Sequence, residues 1–363
     1  MNKCINLLDL DRSSMEVFFN SIDEKSFRAS QAIKWIHQYG VTDFENMTNF
    51  SLSLREKLLK IACISPMTIS SEQVSRDGTH KWLIRIDDEN SVETVYIPEN
   101  DRGTLCVSSQ IGCPLDCSFC STGQQGFNRN LTVAEIIGQV WIANKALGHF
   151  ESRQRIISNI VLMGMGEPLL NFDNVIKAMR LMTDDMAYGL SRKRVTLSTS
   201  GVIPGINKLG ETMDVSLAVS LHAPENKLRN ILVPLNKKYP VDELIAACKK
   251  YSKARFGNSV TFEYVMLDGI NDSEFQAHLL VKLLRDVPSK VNLIPFNPFP
   301  GSGYKRSSSE VIDRFRNILV NAGIITITRK TRGDDIDAAC GQLVGKIMPR
   351  ALRYKVKQME STV

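Results

Sequence analysis

The sequence predicts an α/β fold: a parallel sheet or barrel of βα units, preceded by a small helical module and a β-hairpin. Three observations carry this. The first 75 residues repeat apolar positions at helical spacing. Residues 81–98 switch to strand period on both sides of a polar turn. From about residue 104, short β-rich runs alternate with helix-length amphipathic stretches. Such alternation favours parallel pairing, because parallel neighbours need a long crossover and a helix supplies it.

In the helical module, 1–75, the stretch 26–40 places Ala29, Ala32, Ile33 and Ile36 on one face of a helix that Gly40 stops. Residues 42–59 predict a short helix, a turn and a second helix. The segment 76–103 reads as a hairpin extension: a strand from Lys81 to Ile86, a turn at Asp87-Asp88-Glu89-Asn90, and a strand from Ser91 to Pro98. Alternation puts Glu93 on a face with Val95 and Ile97. A carboxylate there is either a salt-bridged edge residue or a site residue. The core, 104–343, has β-rich runs at 104–109, 159–163, 194–198, 215–220, 259–265, 291–295 and 324–328. Helix-like stretches lie between several of them, at 132–146, 172–183 and 241–251. Sites in such folds sit on loops after the C-terminal ends of strands. Residues 302–310 read as a loop, and 344–363 as a basic C-terminal helix or tail.

The length of 363 residues allows two to three average domains. No apolar run approaches the ~18 residues of a membrane helix. Asp9 and Asp11 stand where a signal peptide would be apolar, so a cytoplasmic location is expected. Lys plus Arg number 45 and Asp plus Glu 39, a net +6. Residues 1–75 hold 8 basic and 9 acidic residues, net −1, whereas 344–363 carry Lys346, Arg350, Arg353, Lys355 and Lys357 against Glu360, net +4. The tail suits a polyanionic partner or, equally, a solvated amphipathic last helix.

The eight cysteines are Cys4, Cys63, Cys106, Cys113, Cys117, Cys120, Cys248 and Cys340. A cytosolic chain of this size is not expected to be a disulfide scaffold. Cys113, Cys117 and Cys120 form a C-x3-C-x2-C loop, and crowding of that kind points to metal or redox chemistry. Zinc sites usually gather four ligands as two pairs, and ferredoxin clusters take four thiolates. Three thiolates in one loop can hold three irons of a [4Fe–4S] cluster and leave the fourth iron open to a ligand. A zinc knuckle completed by Cys106 or a His stays open on spacing alone. Phe119 can shield a cluster from solvent. Cys4, Cys63 and Cys248 have no motif around them and read as structural.

The cysteine loop after the first barrel strand resembles the radical S-adenosylmethionine (SAM) superfamily. The stretch from Ser108 to Leu131, with Cys113-Pro-Leu-Asp-Cys117-Ser-Phe-Cys120, looks like the RlmN/Cfr family of RNA adenine methyltransferases. Further matches are Gly164-Met-Gly-Glu-Pro168, Val195-Thr-Leu-Ser-Thr-Ser-Gly201, Ser220-Leu-His222, Ile294-Pro-Phe-Asn-Pro298 and Arg332-Gly-Asp-Asp-Ile-Asp-Ala-Ala-Cys-Gly-Gln-Leu343. The last is the most specific, since the RlmN branch carries it and the Cfr branch, which methylates another carbon of the base, differs there. The resemblance runs from the N-terminal helices to about residue 345.

It implies a partial (βα)6 TIM-like radical SAM barrel with an N-terminal accessory domain resembling helix-hairpin-helix RNA binders. It implies one [4Fe–4S] cluster on Cys113, Cys117 and Cys120, with SAM on the open iron and two SAM consumed per turnover. Gly166, Glu167, Ser198, Ser220, Leu221, His222 and Asn297 would line the SAM pocket. One SAM would methylate Cys340. A second would be cleaved reductively to a 5′-deoxyadenosyl radical that takes hydrogen from that methyl group. The methylene radical would add to C2 of adenine, Glu93 would accept the C2 proton, and Cys106 would release the product through a transient disulfide with Cys340. The implied substrates are one adenine of the peptidyl-transferase centre of 23S rRNA and the adenine 3′ of certain tRNA anticodons. A flavodoxin-type electron donor and a monomeric state are implied as well. The tail, Arg192-Lys193-Arg194 and Lys237-Lys238 could contact phosphates. Two alternatives stand beside this: C8 methylation of the Cfr kind, and a non-catalytic zinc-binding RNA module.

Overall fold

The computed structural model describes residues 4–253 and 259–345; the basic tail from Lys346 onward lies outside the described residues. The chain opens with strand β1 (Ile5–Asn6), helices α1 (Arg12–Ser21), α2 (Phe27–His37) and α3 (Leu52–Ile61), and strand β2 (Ala62–Cys63) parallel to β1. Asp11 and Ser51 cap α1 and α3 with their side chains. Cys4 and Cys63, read as structural, pair as a disulfide with Cα atoms 5.9 Å apart.

Next come three antiparallel strands, β3 (Thr68–Val74), β4 (His80–Arg85) and β5 (Ser91–Glu99). The sequence reading found β4 and β5 but not β3. Every residue of β3 is exposed, so this edge strand has no apolar alternation to betray it. β5 then pairs antiparallel with β6 (Arg102–Cys106), which joins the hairpin to the main sheet.

From β6 the chain runs through β7 (Gln110–Gly112), the cysteine loop, α4 (Ser121–Gln124) and β8 (Phe127–Asn130), which pairs back on β7. Helix α5 (Val133–Ala146) follows, started by a Thr132/Glu135 capping box, and then the short α6 (His149–Ser152). The alternation continues with β9 (Asn159–Leu162), α7 (Phe172–Thr183), β10 (Val195–Thr199), α8 (Ile203–Thr212), β11 (Ser216–Ser220), α9 (Asn226–Leu232) and α10 (Val241–Lys253). It ends with β12 (Val260–Met266), α11 (Glu274–Leu284), β13 (Ser289–Pro295), α12 (Ser309–Asn321) and β14 (Ile325–Thr328). All seven β-rich runs read from the core sequence are strands, and each is parallel to the next. Six βα units therefore lead to a seventh parallel strand. The ten-stranded sheet keeps strict chain order from β14 to β3 and does not close on itself, which makes the barrel partial.

Period-two alternation sorts the barrel residues. Leu105, Ile160, Leu162, Val195, Leu197, Leu217, Val219, Phe262, Val291 and Leu293 are buried in the main core with the helices. The residues between them, including Cys106, Val161, Thr196, Ala218, Glu263 and Asn292, line a cavity inside the barrel. The helical module packs on α5: Trp141 Nε1 donates to the Ile36 carbonyl at 2.9 Å, and Asp9 Oδ1 accepts from the Ala134 amide at 2.8 Å. No helix among the described residues is long and apolar enough to cross a membrane.

Candidate active site

The cysteine loop is folded by backbone bonds to its surroundings. The Cys113 amide donates to the Gly126 carbonyl at 3.0 Å, Ser118 to Leu232 at 3.2 Å and Cys120 to Cys117 at 3.1 Å. Asp116 turns the loop at φ 52°, a left-handed conformation that Asp tolerates better than most residues. Leu115, Cys117, Ala223, Leu232, Val233, Val265, Leu267 and Phe296 form a second, small apolar cluster against which Cys113, Phe119 and Cys120 pack. Burial pushes the thiols up, Cys113 to about 12 and Cys117 and Cys120 in the same direction. The charge of Cys120 adds to the upward shift of Cys113 and Cys117, and that of Cys340 to the shift of Cys120. Among the described residues no three His, Cys, Asp or Glu side chains gather into a single-ion site. A cubane takes each thiolate on a different iron, and three cysteines of one loop packed against one apolar cluster fit that donor requirement.

The neighbouring strand ends are tightly drawn. A side chain at Gly164 would strike the Val107 carbonyl, and one at Gly166 (φ 100°) would lie 2.5 Å from Gln110 Cβ, so both positions require glycine. Glu167 is buried. Its carboxylate accepts from the Ser200 amide at 2.8 Å and the Leu169 amide at 3.1 Å, and burial raises its pKa to about 7. A ligand ammonium beside it would return it to the ionised form. His222 sits at φ 61°, with its ring 4.4 Å from that of Phe119. Its Nδ1 accepts from the Val265 amide at 3.0 Å, which puts the proton of the neutral ring on Nε2; burial holds the pKa down at about 3.

The sequence reading missed Arg229. Its buried guanidinium donates to the carbonyls of Ser200, Ser220 and Leu221 and to Asn236 Oδ1, at 2.7–3.0 Å. One side chain thereby fixes the ends of β10 and β11, where Ser198, Ser220, Leu221 and His222 stand. A single charge in a helix gave no sequence signal for this.

Cys340 follows β14 in a segment that is folded over the barrel end. Asn297 Nδ2 donates to the Cys340 carbonyl at 3.3 Å, and Arg329 Nη1 to Cys340 Sγ at 3.4 Å. The Ser121 amide, next to Cys120, donates to the Gly341 carbonyl at 2.8 Å. Cys106 and Cys340 line the same cavity of about 530 Å³, together with Glu263, Asn292, Asn297 and Arg329. Burial and the nearby Cys340 push the Cys106 thiol up to about 12. Glu93 shares its face with the cavity residues Val95 and Ile97 but does not itself line the cavity. It is buried, paired with Lys81 at 3.3 Å and accepting from the Val344 amide at 2.8 Å. Burial raises its pKa against the pull of those two partners.

Arg192–Arg194 precede β10 and so lie at the barrel end away from the cysteine loop, whereas Lys237 and Lys238 follow β11 on the loop side. Lys330, which the sequence reading did not single out, and Arg332, the first residue of the most specific motif, line the cavity beside Arg329.

Two family descriptions match the chain: "Ribosomal RNA large subunit methyltransferase N-terminal domain" over residues 5–64 and "Radical SAM superfamily" over 107–280. A dual-specificity RNA methyltransferase RlmN of Pseudomonas putida is 58% identical over 365 residues, covering 99% of this chain and 96% of its own length. The RlmN of Marinobacter nauticus is 57% identical over 350 residues, covering 96% of this chain and 95% of its own. The chain belongs to the RlmN family. Among solved structures, a radical SAM methyltransferase from Sphaerobacter thermophilus superposes with a TM-score of 0.86 at 42% identity, over 93% of this chain and 99% of that one. As an RlmN-family member the chain is a radical SAM RNA methyltransferase. Membership of the superfamily implies a 4Fe–4S cluster and SAM, and the buried three-thiol loop fits that requirement.

Proposed function

We propose that this chain methylates C2 of a specific adenine in 23S rRNA and of the adenine 3′ of the anticodon in some tRNAs, with Cys340 carrying the methyl group. One observation supports it most: Cys340 and Cys106 line one cavity, and the Cys340 segment is bonded to the residue next to Cys120. Cys113, Cys117 and Cys120 would hold the cluster, and Gly166, Glu167, Ser198, Ser220, Leu221, His222 and Asn297 would hold SAM. When bound, these groups supply a methyl donor and a radical source that acts on a methyl group.

The chain's own residues divide the remaining work. Cys340 is exposed, so its sulfur reaches both a methyl donor and a base, and the Arg329 guanidinium donates to Sγ. Cys106 stays a buried thiol until the product has to be released, then forms a disulfide with Cys340 as the carbon–sulfur bond breaks. Glu93 accepts the C2 proton, with Lys81 and the Val344 amide holding its carboxylate in place. The apolar shell around Phe119 and Leu115 keeps water out. Lys237, Lys238, Lys330, Arg332 and the tail would meet phosphates. The reading includes two SAM per turnover, a flavodoxin-type electron donor, a monomer and a cytoplasmic site of action.

The test is anaerobic reconstitution with iron, sulfide, SAM, a reductant and a 23S rRNA or tRNA fragment, followed by nucleoside mass spectrometry. The expected product is 2-methyladenosine. 8-Methyladenosine would move the chain to Cfr-like chemistry, and no methyladenosine from a loaded sample would end the proposal.

A further inference from the structure

The cavity shared by Cys106 and Cys340 contains an acidic side chain that the reaction described above does not use. Glu263 stands mid-strand in β12, on the inward face, and is only 4% exposed. Its Oε1 accepts from Asn292 Nδ2 at 2.9 Å, across the β12–β13 register that pairs these two residues. Its Oε2 is buried and has no hydrogen-bond partner among the described residues. Leaving such an oxygen without a donor is costly, more so for a charged group. Burial raises the Glu263 pKa against the opposing charge of Arg329, which directs its Nη1 at Cys340 Sγ and not at Oε2.

The expected SAM residues mostly lie elsewhere. Glu167, Ser198, Ser220 and His222 do not line this cavity, and Asn297 is the one member of that set that does. The ligand that Oε2 awaits therefore belongs on the Cys340 side, where the substrate base must come. Adenine offers one distinctive donor, the amino group on C6, separated from the reacting carbon C2 by N1 alone. Guanine and hypoxanthine put a carbonyl there, which an acceptor oxygen repels. A site with a buried acceptor waiting for a donor discriminates strongly against ligands that lack it.

We propose that Glu263 recognises the C6 amino group of the substrate adenine through Oε2, and that Asn292 is the positioning residue that turns this oxygen into the cavity. The assignment rests on the adenine reading given above. It also makes a directional prediction for Glu263→Gln. Asn292 Nδ2 claims whichever side-chain oxygen is available, so the glutamine presents its NH2 to the base where the carboxylate presented an acceptor.

The experiment uses full-length, cluster-loaded enzyme and two RNA hairpins, one with adenosine at the target and one with purine ribonucleoside, which has hydrogen in place of the amino group. Methylation rates are compared for the wild type, Glu263→Gln and Asn292→Ala, and SAM affinity is measured without RNA. The wild type should favour the adenosine RNA by about tenfold to a hundredfold in kcat/KM. Glu263→Gln should bring the two RNAs within about threefold of each other, chiefly by losing rate on adenosine, and Asn292→Ala should fall between. Wild-type enzyme that uses both RNAs equally overturns the assignment, as does a Glu263→Gln enzyme with the wild-type preference. Loss of SAM affinity in Glu263→Gln would give the carboxylate to the cofactor site and also overturn it. A loaded wild type that methylates no adenosine would instead remove the underlying adenine reading.

Discussion

Two short segments bring sulfur to the same end of the barrel and are built in opposite ways. The loop 113–120 sinks its thiols into an apolar cluster and is fastened by its own backbone to Gly126 and Leu232. The segment 333–345 leaves Cys340 exposed and is fastened chiefly by side chains from elsewhere, besides the Ser121 amide on the Gly341 carbonyl. Asp77 accepts from the Gly333 amide, Asp335 bonds Ser75, Lys81 donates to the Asp337 carbonyl, Thr122 to the Leu343 carbonyl, and Glu93 accepts from Val344. The difference fits the proposed tasks: a cluster holder would have to be dry and fixed, while a methyl carrier would have to meet two partners in turn.

The largest effects should come from the sulfurs themselves. Cys340→Ala should load iron normally and transfer no methyl group, whereas Cys117→Ala should fail to load iron. Iron quantification with a methylation assay separates the two, and a Cys340→Ala enzyme with full turnover breaks the division of labour. Arg229→Met should reach beyond either segment. It strips donors from the carbonyls of Ser200, Ser220 and Leu221, so denaturant unfolding should show a loss of about 3 kcal/mol, with weaker SAM binding. Equal stability would mean that the strand ends hold without it.

Acid should act on neither segment preferentially. His37, buried in the helical module, has its pKa depressed by burial from 6.5 to about 3. The folded state keeps this ring neutral, so the unfolded state binds the extra proton below pH 6.5. Stability attributable to this group is full above that pH and falls as the pH drops toward 3. Between pH 7 and 5 the loss should be about 2 kcal/mol, and a His37→Phe variant should lack that slope. The smallest change sharpens the comparison most. Thr122→Val removes one tether of the Cys340 segment and should cost about 1 kcal/mol or less. It should nevertheless slow methyl transfer to RNA while leaving iron content unchanged.

Much of this was legible in the sequence. Strand alternation and crossover-length helices gave all seven parallel strands, because those strands bury one face under helices and carry the β-rich signal strongly. The cysteine spacing pointed to the three-thiol loop, since its cysteines are local in the chain. What escaped was polar and long-range. Edge strand β3 has no buried face to read. Arg229 acts on carbonyls of Ser200 and Ser220, which no local pattern reveals. Glu263 could have been found: it is an acid in an otherwise apolar or β-branched strand, the same signal that drew attention to Glu93.

The most direct test of a holder and a carrier is peptide mass spectrometry of the loaded enzyme after turnover with methyl-labelled SAM and no RNA. The label should sit on the Cys340 peptide and move to adenine when RNA is added. Label on Cys106, or RNA methylation with Cys340 never labelled, would contradict the account.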